Sequence, residues 1–414
     1  MKKHLASALS LICAAVMITS CSNEKDPVIP GSSLESATFT TSENLVLTVD
    51  GVAATAQTAS FTPSADGTAS ITLKGENLDL EGLFGAMSVS DDASALSFPT
   101  SCVIPGSAQA SFTVTLSGSA DKPTFTGSSE TEYCTFAYSG EVSKDEMTLV
   151  LSDIKLKNTS LAATFSTGDF NDNFFNTLRV EWVSEKGIEL APNFEMPVKD
   201  ILRVALALPL IPQGEDGNSV SVAAMIPELL KNVTFGADGS VTARYADTDE
   251  EGMPVKESPK GLARYVVKND NTLLLFLDPQ AIIANTLSVA SKSRSVDFST
   301  VLQGLMTQVV PMLVNGVPVN YGPRIAGEEY EAGGVVSVID PDPNAVSFYL
   351  GTDVLLPLLK TVAPILSDEE IIEAIKEAAS QDPDMAEKLP GILRSLPGVI
   401  NTTTKVEIGI NLYK

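Results

Sequence analysis

Between residues 37 and 165 the chain is written in short stretches that alternate apolar and polar side chains, broken at Asp-Gly and Ser-Gly pairs. Leu45–Val49 precedes Asp50-Gly51, 59–61 precedes Asp66-Gly67, and 69–73, 112–116, 135–138 and 147–151 continue the series. Successive side chains of an extended chain point to opposite faces, so a period of two buries one face of a sheet. Asp-Gly supplies the positive φ angles of tight hairpins. No segment here carries the three-to-four spacing of a helix. Residues 37–167 are therefore expected to form an all-β domain, an antiparallel sandwich or barrel.

After a polar, Gly- and Asn-rich linker at 168–177 the pattern changes, and residues 178–414 mix strand-like pieces with apolar helical ones. Phe298, Val301, Leu302, Leu305, Met306, Val309 and Val310 share one helical stripe. Ser367 with Glu370 makes a capping box, and Asp278-Pro279 and Asp382-Pro383 each read as an N-cap followed by proline at the first helical position. An internal echo runs through this half: strand 262–267, turn, strand 272–277, helix, and then strand 335–339, turn 340–344, strand 345–350, helix from 353. Strand 178–182 with a helix over 198–208 fits more loosely. Segments 229–235 and 312–317 both pass from helix into strand, and a strand at 405–414 is expected to close the sheet. The second domain is expected to be α+β, an antiparallel sheet or partial barrel with helices inserted between hairpins, in a chain that is mainly β overall.

The N-terminus has its own character. Lys2 and Lys3 precede an apolar run over 5–18, which ends in Ile18-Thr19-Ser20-Cys21. A run this short falls below the roughly 20 residues of a membrane span, so 1–20 are expected to be a signal peptide cut before Cys21, an uncleaved anchor or a signal cut elsewhere being the alternatives. These residues resemble the bacterial lipobox, which implies a diacylglycerol thioether on Cys21 and acylation of its amine. Several acyl chains anchor stably, since each buried methylene contributes about 0.8 kcal/mol and one chain alone is marginal. Residues 21–36, rich in Pro and Ser, read as a flexible lipidated tether. Ser22-Asn23-Glu24-Lys25-Asp26 resembles the surface-export signal of Bacteroidetes lipoproteins, which implies an outer-membrane location, facing inward or outward.

Charge and residue counts exclude some chemistry. Acidic residues number 52 against 27 basic ones, a formal charge of −25 that becomes −27 when Lys2 and Lys3 leave (−25 − 2). Such a surface repels phosphate backbones, so no nucleic-acid partner is expected. The single histidine, His4, lies in the signal, which leaves the mature body without imidazole catalysis or His-ligated zinc. Neither a G-x-S-x-G elbow nor a Gly-rich phosphate cradle after a strand occurs, so no catalytic residue and no cofactor is assigned. With Cys13 in the signal and Cys21 lipidated, Cys102 and Cys134 remain, expected to form a disulfide in an oxidising compartment, two buried thiols being the alternative. Period two puts Cys134 on the face of Phe136 and Tyr138. Asp247, Asp249 and Glu251, followed by Gly252, begin like a calcium loop, but Ser258 stands where the bidentate glutamate belongs. Asp340 and Asp342 alternate similarly within a proline-stiffened turn.

The strand series of Leu45 to Asp50, Asp66-Gly67-Thr68, and Tyr138-Ser139-Gly140 leading into 147–154 is similar to calycin-like domains of Bacteroidetes lipoproteins. The stretch 232–245 resembles the C-terminal domain of unknown function that accompanies them. The resemblance implies a lipocalin-like β fold on a surface lipoprotein and carries no catalytic residues. Segments 201–208 and 354–359 are nearly apolar all round and are flanked or interrupted by Pro209, Pro357 and Pro364; they form either a cavity for an apolar ligand or a plain core. The function expected is a non-enzymatic binding or assembly module, with a membrane partner through its lipid and a protein or small ligand as the other. A calycin-like binder of an apolar or glycan-derived molecule and a carboxylate-dependent hydrolase are the alternatives.

Overall fold

The computed structural model describes residues 34–78, 98–168, 176–191, 194–209, 211–213, 218–247, 252–278, 314–325, 329–332, 335–338, 342–366 and 383–414, with Met312, Glu369, Ile372, Glu373 and Lys376. The expected signal segment, Cys21 and most of the expected tether lie outside these residues. So do Asp249, Glu251, the stripe at 298–310, Pro279, Asp340, Ser367, Glu370 and Asp382.

The N-terminal region runs through β1 (Ala37–Thr40), β2 (Leu45–Val49), β3 (Val52–Ala53), β4 (Gln57–Pro63), β5 (Thr68–Gly75), β6 (Asn77–Leu78), β7 (Phe98–Pro99), β8 (Gln109–Thr115), β9 (Ser117–Gly118), β10 (Pro123–Glu130), β11 (Cys134–Val142) and β12 (Met147–Leu156). One sheet has the order β1-β4-β5-β8 and the other β3-β2-β12-β11-β10-β9. They pack face to face. Phe112 of β8 meets Phe136 of β11 edge-on at 5.5 Å and Tyr138 at 4.9 Å, and the Tyr138 hydroxyl donates to the Thr113 carbonyl at 3.1 Å. Of the two expected arrangements this is the sandwich. Phe39, Phe61, Ile71, Leu73, Met147 and Leu149 form its dry centre, each contributing about 1.5–3 kcal/mol by leaving water. One pairing departs from the hairpin pattern: β2 runs parallel to β12. Parallel neighbours need a crossover, which the chain makes by passing through the opposite sheet between them.

The rest of the chain contains β13 (Ala163–Thr167), β14 (Leu178–Ser184), a ribbon of β15 (Ile188–Ala191) and β16 (Phe194–Met196), α1 (Val198–Ala207), a ribbon of β17 (Ile211–Gln213) and β18 (Asn218–Val220), and α2 (Val222–Leu229). It continues with β19 (Leu230–Phe235), β20 (Ser240–Ala246), β21 (Val255–Glu257), β22 (Ala263–Asn269), β23 (Thr272–Leu277), β24 (Val317–Pro323), a ribbon of β25 (Glu329–Ala332) and β26 (Val335–Val338), β27 (Ala345–Leu350), α3 (Thr352–Leu366), α4 (Pro383–Asn401) and β28 (Thr403–Tyr413). Strands β13, β19, β20, β22, β23, β24, β27 and β28 follow one another around a ring, which β28 closes by pairing Tyr413 with Ser166 and Leu412 with Thr167 of β13. The expected partial barrel is thus a closed antiparallel barrel, and the C-terminal strand closes it. Strand β13 sits within the stretch expected to be the first domain, yet its hydrogen-bonded neighbours are β19 and β28.

Of the internal echo, the first hairpin forms, the helix expected after it lies outside the described residues, and the second hairpin does not form although the helix after it does. β22 and β23 form the expected hairpin, whereas β26 pairs with β25 and not with β27. Both edges of β27 are already taken by β24 and β28. Cross-strand partners share a face of the sheet. The partners Tyr265 and Leu275, Leu273 and Val319, and Tyr321 and Phe348 thereby line the barrel interior. Phe235 stacks on Phe348 at 5.3 Å, Phe165 meets both edge-on at 5.8 and 5.3 Å, and Tyr265 meets Phe235 at 4.9 Å. The lumen is therefore filled with rings.

Helix α2 starts where Ser221 Oγ accepts from the Ala224 amide at 3.1 Å, and α4 opens on Pro383 as expected. The apolar helices form a core, with Val198, Ala363, Val399 and Ile400 packing around Trp182 and Val406. Among the described residues no helix is long and apolar enough to cross a membrane.

Candidate functional site

Two Asp-Gly turns, far apart in sequence, meet where the sandwich adjoins the barrel. Asp50 and Gly51 have φ of 48° and 83°, the two positive angles of a type I′ turn, and they join β2 to β3. The Asp50 amide donates to the Leu151 carbonyl at 2.9 Å, which ties the tip to β12. Asp238 and Gly239 form the tip between β19 and β20. Here the Leu156 amide of the sandwich donates to the Ala237 carbonyl at 2.9 Å, and the Tyr265 amide donates to the Gly239 carbonyl at 2.8 Å. Gly239 has φ of +82°, and a Cβ there would lie 3.0 Å from Pro105 and 3.2 Å from Leu156. Only glycine fits this wedge without displacement.

Beside the wedge opens a cleft of about 210 Å³, with Asp50 and Thr100 on its sandwich side and Asp238, Lys260, Arg264 and Asp278 on its barrel side. Arg264 alternates with Tyr265 along β22, so its side chain leaves the barrel wall outward. It is half-buried. Burial pulls the guanidinium pKa below its usual value, while Cys102, Asp278, Asp238 and Asp50 oppose that shift. Among the described residues its hydrogen bond is a long one, from Nη1 to the Gly261 carbonyl at 3.5 Å. Asp50 and Asp238 share the cleft with it without closing an ion pair.

The two aspartates differ. Burial, and then the charge of Asp238, raise the Asp50 carboxyl above the ordinary carboxylate value. Burial pushes Asp238 up as well, but the Ser240 hydroxyl and amide, donating at 2.6 and 3.0 Å, outweigh it and hold Asp238 below that value. The wall beside them is rigid. Gln57 Nε2 donates to the Ala56 and Ser101 carbonyls at 2.9 and 3.0 Å, its Oε1 accepts from the Val103 amide at 3.1 Å, and Thr100 Oγ1 donates to the Ala56 carbonyl at 3.0 Å. Fixed charges of both signs in one cleft, with no ion pair closed between Arg264 and Asp50 or Asp238, make a binding arrangement for a small polar molecule.

The residues singled out from sequence have other places. Cys102 and Cys134 are free thiols in the sandwich core, not a disulfide. Each sulfur is directed at a carbonyl of its own surroundings, Cys102 Sγ at Leu73 (3.6 Å) and Cys134 Sγ at Pro105 (3.9 Å). Burial pushes the Cys102 thiol up to about 11 and raises that of Cys134 as well. Cys134 does share the buried face of Phe136 and Tyr138. Of the calcium candidates, Asp247 pairs with Lys256, which neutralises the first carboxylate of that loop; Asp249 and Glu251 lie outside the described residues. Asp342 accepts from the Asn344 amide at 2.9 Å, a turn-stabilising role. Among the described residues no His, Cys, Asp and Glu group could hold a metal ion.

Sequence reading did not single out Arg264, Lys260 or Asp238. A signal was present in the apolar strand Leu262-Ala263-Arg264-Tyr265-Val266-Val267, whose one charge calls for an explanation. Compared with protein-family models, with curated proteins and with solved structures, the chain matches none.

Proposed function

We propose that this chain is a cell-envelope lipoprotein, held at the outer membrane by lipid on Cys21, whose body is a non-enzymatic binding module with its site in the cleft between sandwich and barrel. The observation that carries the binding site is Arg264, a half-buried guanidinium to which the described residues give one long hydrogen bond. A buried guanidinium normally collects several short bonds from carboxylates or carbonyls, so an anionic group arriving from outside completes this one. The ring-filled barrel lumen and the dry centre of the sandwich leave the ligand to the cleft between them. The lipobox-like Ile18-Thr19-Ser20-Cys21 and the tether behind it support the anchor.

Two measurements test the parts separately. Cys21→Ser should release the protein from membranes into a soluble fraction; a variant that stays bound and uncleaved removes the lipoprotein reading. Native mass spectrometry of protein purified from its own envelope should show a small molecule retained by the wild type and lost from Arg264→Gln. Recovery with no co-purifying mass counts against the cleft.

The hydrolase alternative keeps one observation in its favour, the placing of two carboxylates, Asp50 and Asp238, on one cleft, where their surroundings displace the two carboxyls in opposite directions. It requires turnover of a glycoside panel that Asp50→Asn abolishes.

A further inference from the structure

The geometry points to the chemical class of the ligand: a small zwitterion carrying one carboxylate and one ammonium group, as an amino acid or dipeptide does. This rests on the cleft being the binding site. The walls bring two cations, Arg264 and Lys260, together with three carboxylates, Asp50, Asp238 and Asp278. A purely anionic ligand drawn to Arg264 would also face the three aspartates, and a purely cationic one would face the guanidinium. A neutral polyol would remove water from these charges and return only hydrogen bonds with one charged partner, weaker than those between two opposite charges. A molecule with both charges meets the cations and the carboxylates of the cleft each with its complement.

Position and size agree. The planar guanidinium fork of Arg264 suits a carboxylate held through two parallel bonds, and exposed Lys260 adds positive charge at the rim. Asp238 takes both Ser240 donors on Oδ1, leaving Oδ2 as an acceptor for an ammonium group. The cleft volume of about 210 Å³ falls below the roughly 300–1,000 Å³ typical of sites for drug-sized molecules, which selects a ligand of amino-acid or dipeptide size.

Titration calorimetry on the full mature chain tests this with four probes: glycylglycine, N-acetylglycine (carboxylate only), glycinamide (ammonium only) and glucose (neutral). Glycylglycine should bind about ten-fold or more tightly than either singly charged analogue, the factor that one charged hydrogen bond supplies. Arg264→Gln should weaken glycylglycine about ten-fold and leave glycinamide unchanged, and Asp238→Asn should weaken it while sparing N-acetylglycine. Should Arg264→Gln fail to fold, the exposed Lys260→Gln gives the same direction with a smaller factor. Equal binding of glycylglycine and N-acetylglycine, preference for glucose, or no binding of any probe overturns the zwitterion. If instead an analogue or glucose is preferred and Arg264→Gln abolishes its binding, the cleft survives and only the class falls. Glycylglycine binding that none of the substitutions changes places the site elsewhere and overturns the cleft itself.

Discussion

Along β8 of the sandwich, Ala110, Phe112 and Val114 are buried while Gln109, Ser111, Thr113 and Thr115 are exposed; along β24 of the barrel every residue from Val317 to Gly322 is half-buried. A sandwich strand has one dry face and one wet face, so its core is spread over many aliphatic side chains placed by local alternation. A barrel strand divides its burial between lumen and outer surface, and neither is dry along its whole length. The fully buried barrel side chains are concentrated in a few rings and large aliphatics, with Phe165 and Tyr265 the largest. Stability should therefore be broadly distributed in the sandwich and focused in the barrel.

Phe235→Ala should show the focused barrel core most strongly, because it removes the ring touching Phe165, Tyr265 and Phe348. Urea unfolding should show a loss of about 3–5 kcal/mol; a loss near 1 kcal/mol would mean that the lumen is not a packed core. Next comes alkaline pH. The Cys102 thiol of the sandwich has an ordinary value of 9.0 and stands at about 11 when folded. Between those values the unfolded state releases its proton while the folded state keeps it, so stability falls as pH rises through 9 to 11, by up to about 3 kcal/mol. Tyr265 of the barrel, raised by burial from 10.0 to about 12, should add a second fall that starts one pH unit higher. Denaturation curves of Cys102→Ala and Tyr265→Phe separate the two, each removing its own fall.

Gly239→Ala acts on the junction between the two bodies. Its positive φ and the close approach to Pro105 and Leu156 predict a loss of about 1–3 kcal/mol by thermal denaturation, with weaker ligand binding in the adjoining cleft. The smallest effect belongs to Val319→Ala, where a half-buried lumen residue should cost about 1 kcal/mol. If it costs as much as Phe235→Ala, burial in the barrel is not focused on the rings.

The sandwich strands were legible because their signal is local: period two between Asp-Gly turns is complete within each segment. The parallel neighbours β2 and β12 were not, since about a hundred residues separate them and alternation says nothing about direction. Strand β13 reads like the strands before it, and only its partners in β19 and β28 assign it to the barrel. Cys134 was placed on the correct face by its neighbours, but whether its sulfur reaches Cys102 depends on backbone separation that spacing does not encode. The cleft is the extreme case. Asp50 was legible as a turn residue and Asp238 lies within an Asp-Gly pair, yet nothing local says that these turns meet or that Arg264 lies between them.

A binding cleft at this place requires that sandwich and barrel form one body that holds it open at a fixed width. Native-state hydrogen exchange of the Leu156 amide, which crosses the junction to the Ala237 carbonyl at 2.9 Å, tests that most directly. Exchange as slow as that of the core strand amides of β12 and β22 is the predicted result. Exchange at the rate of an open loop, with the core strands still protected, would mean that the two bodies part in the native state and that the cleft is not a built site.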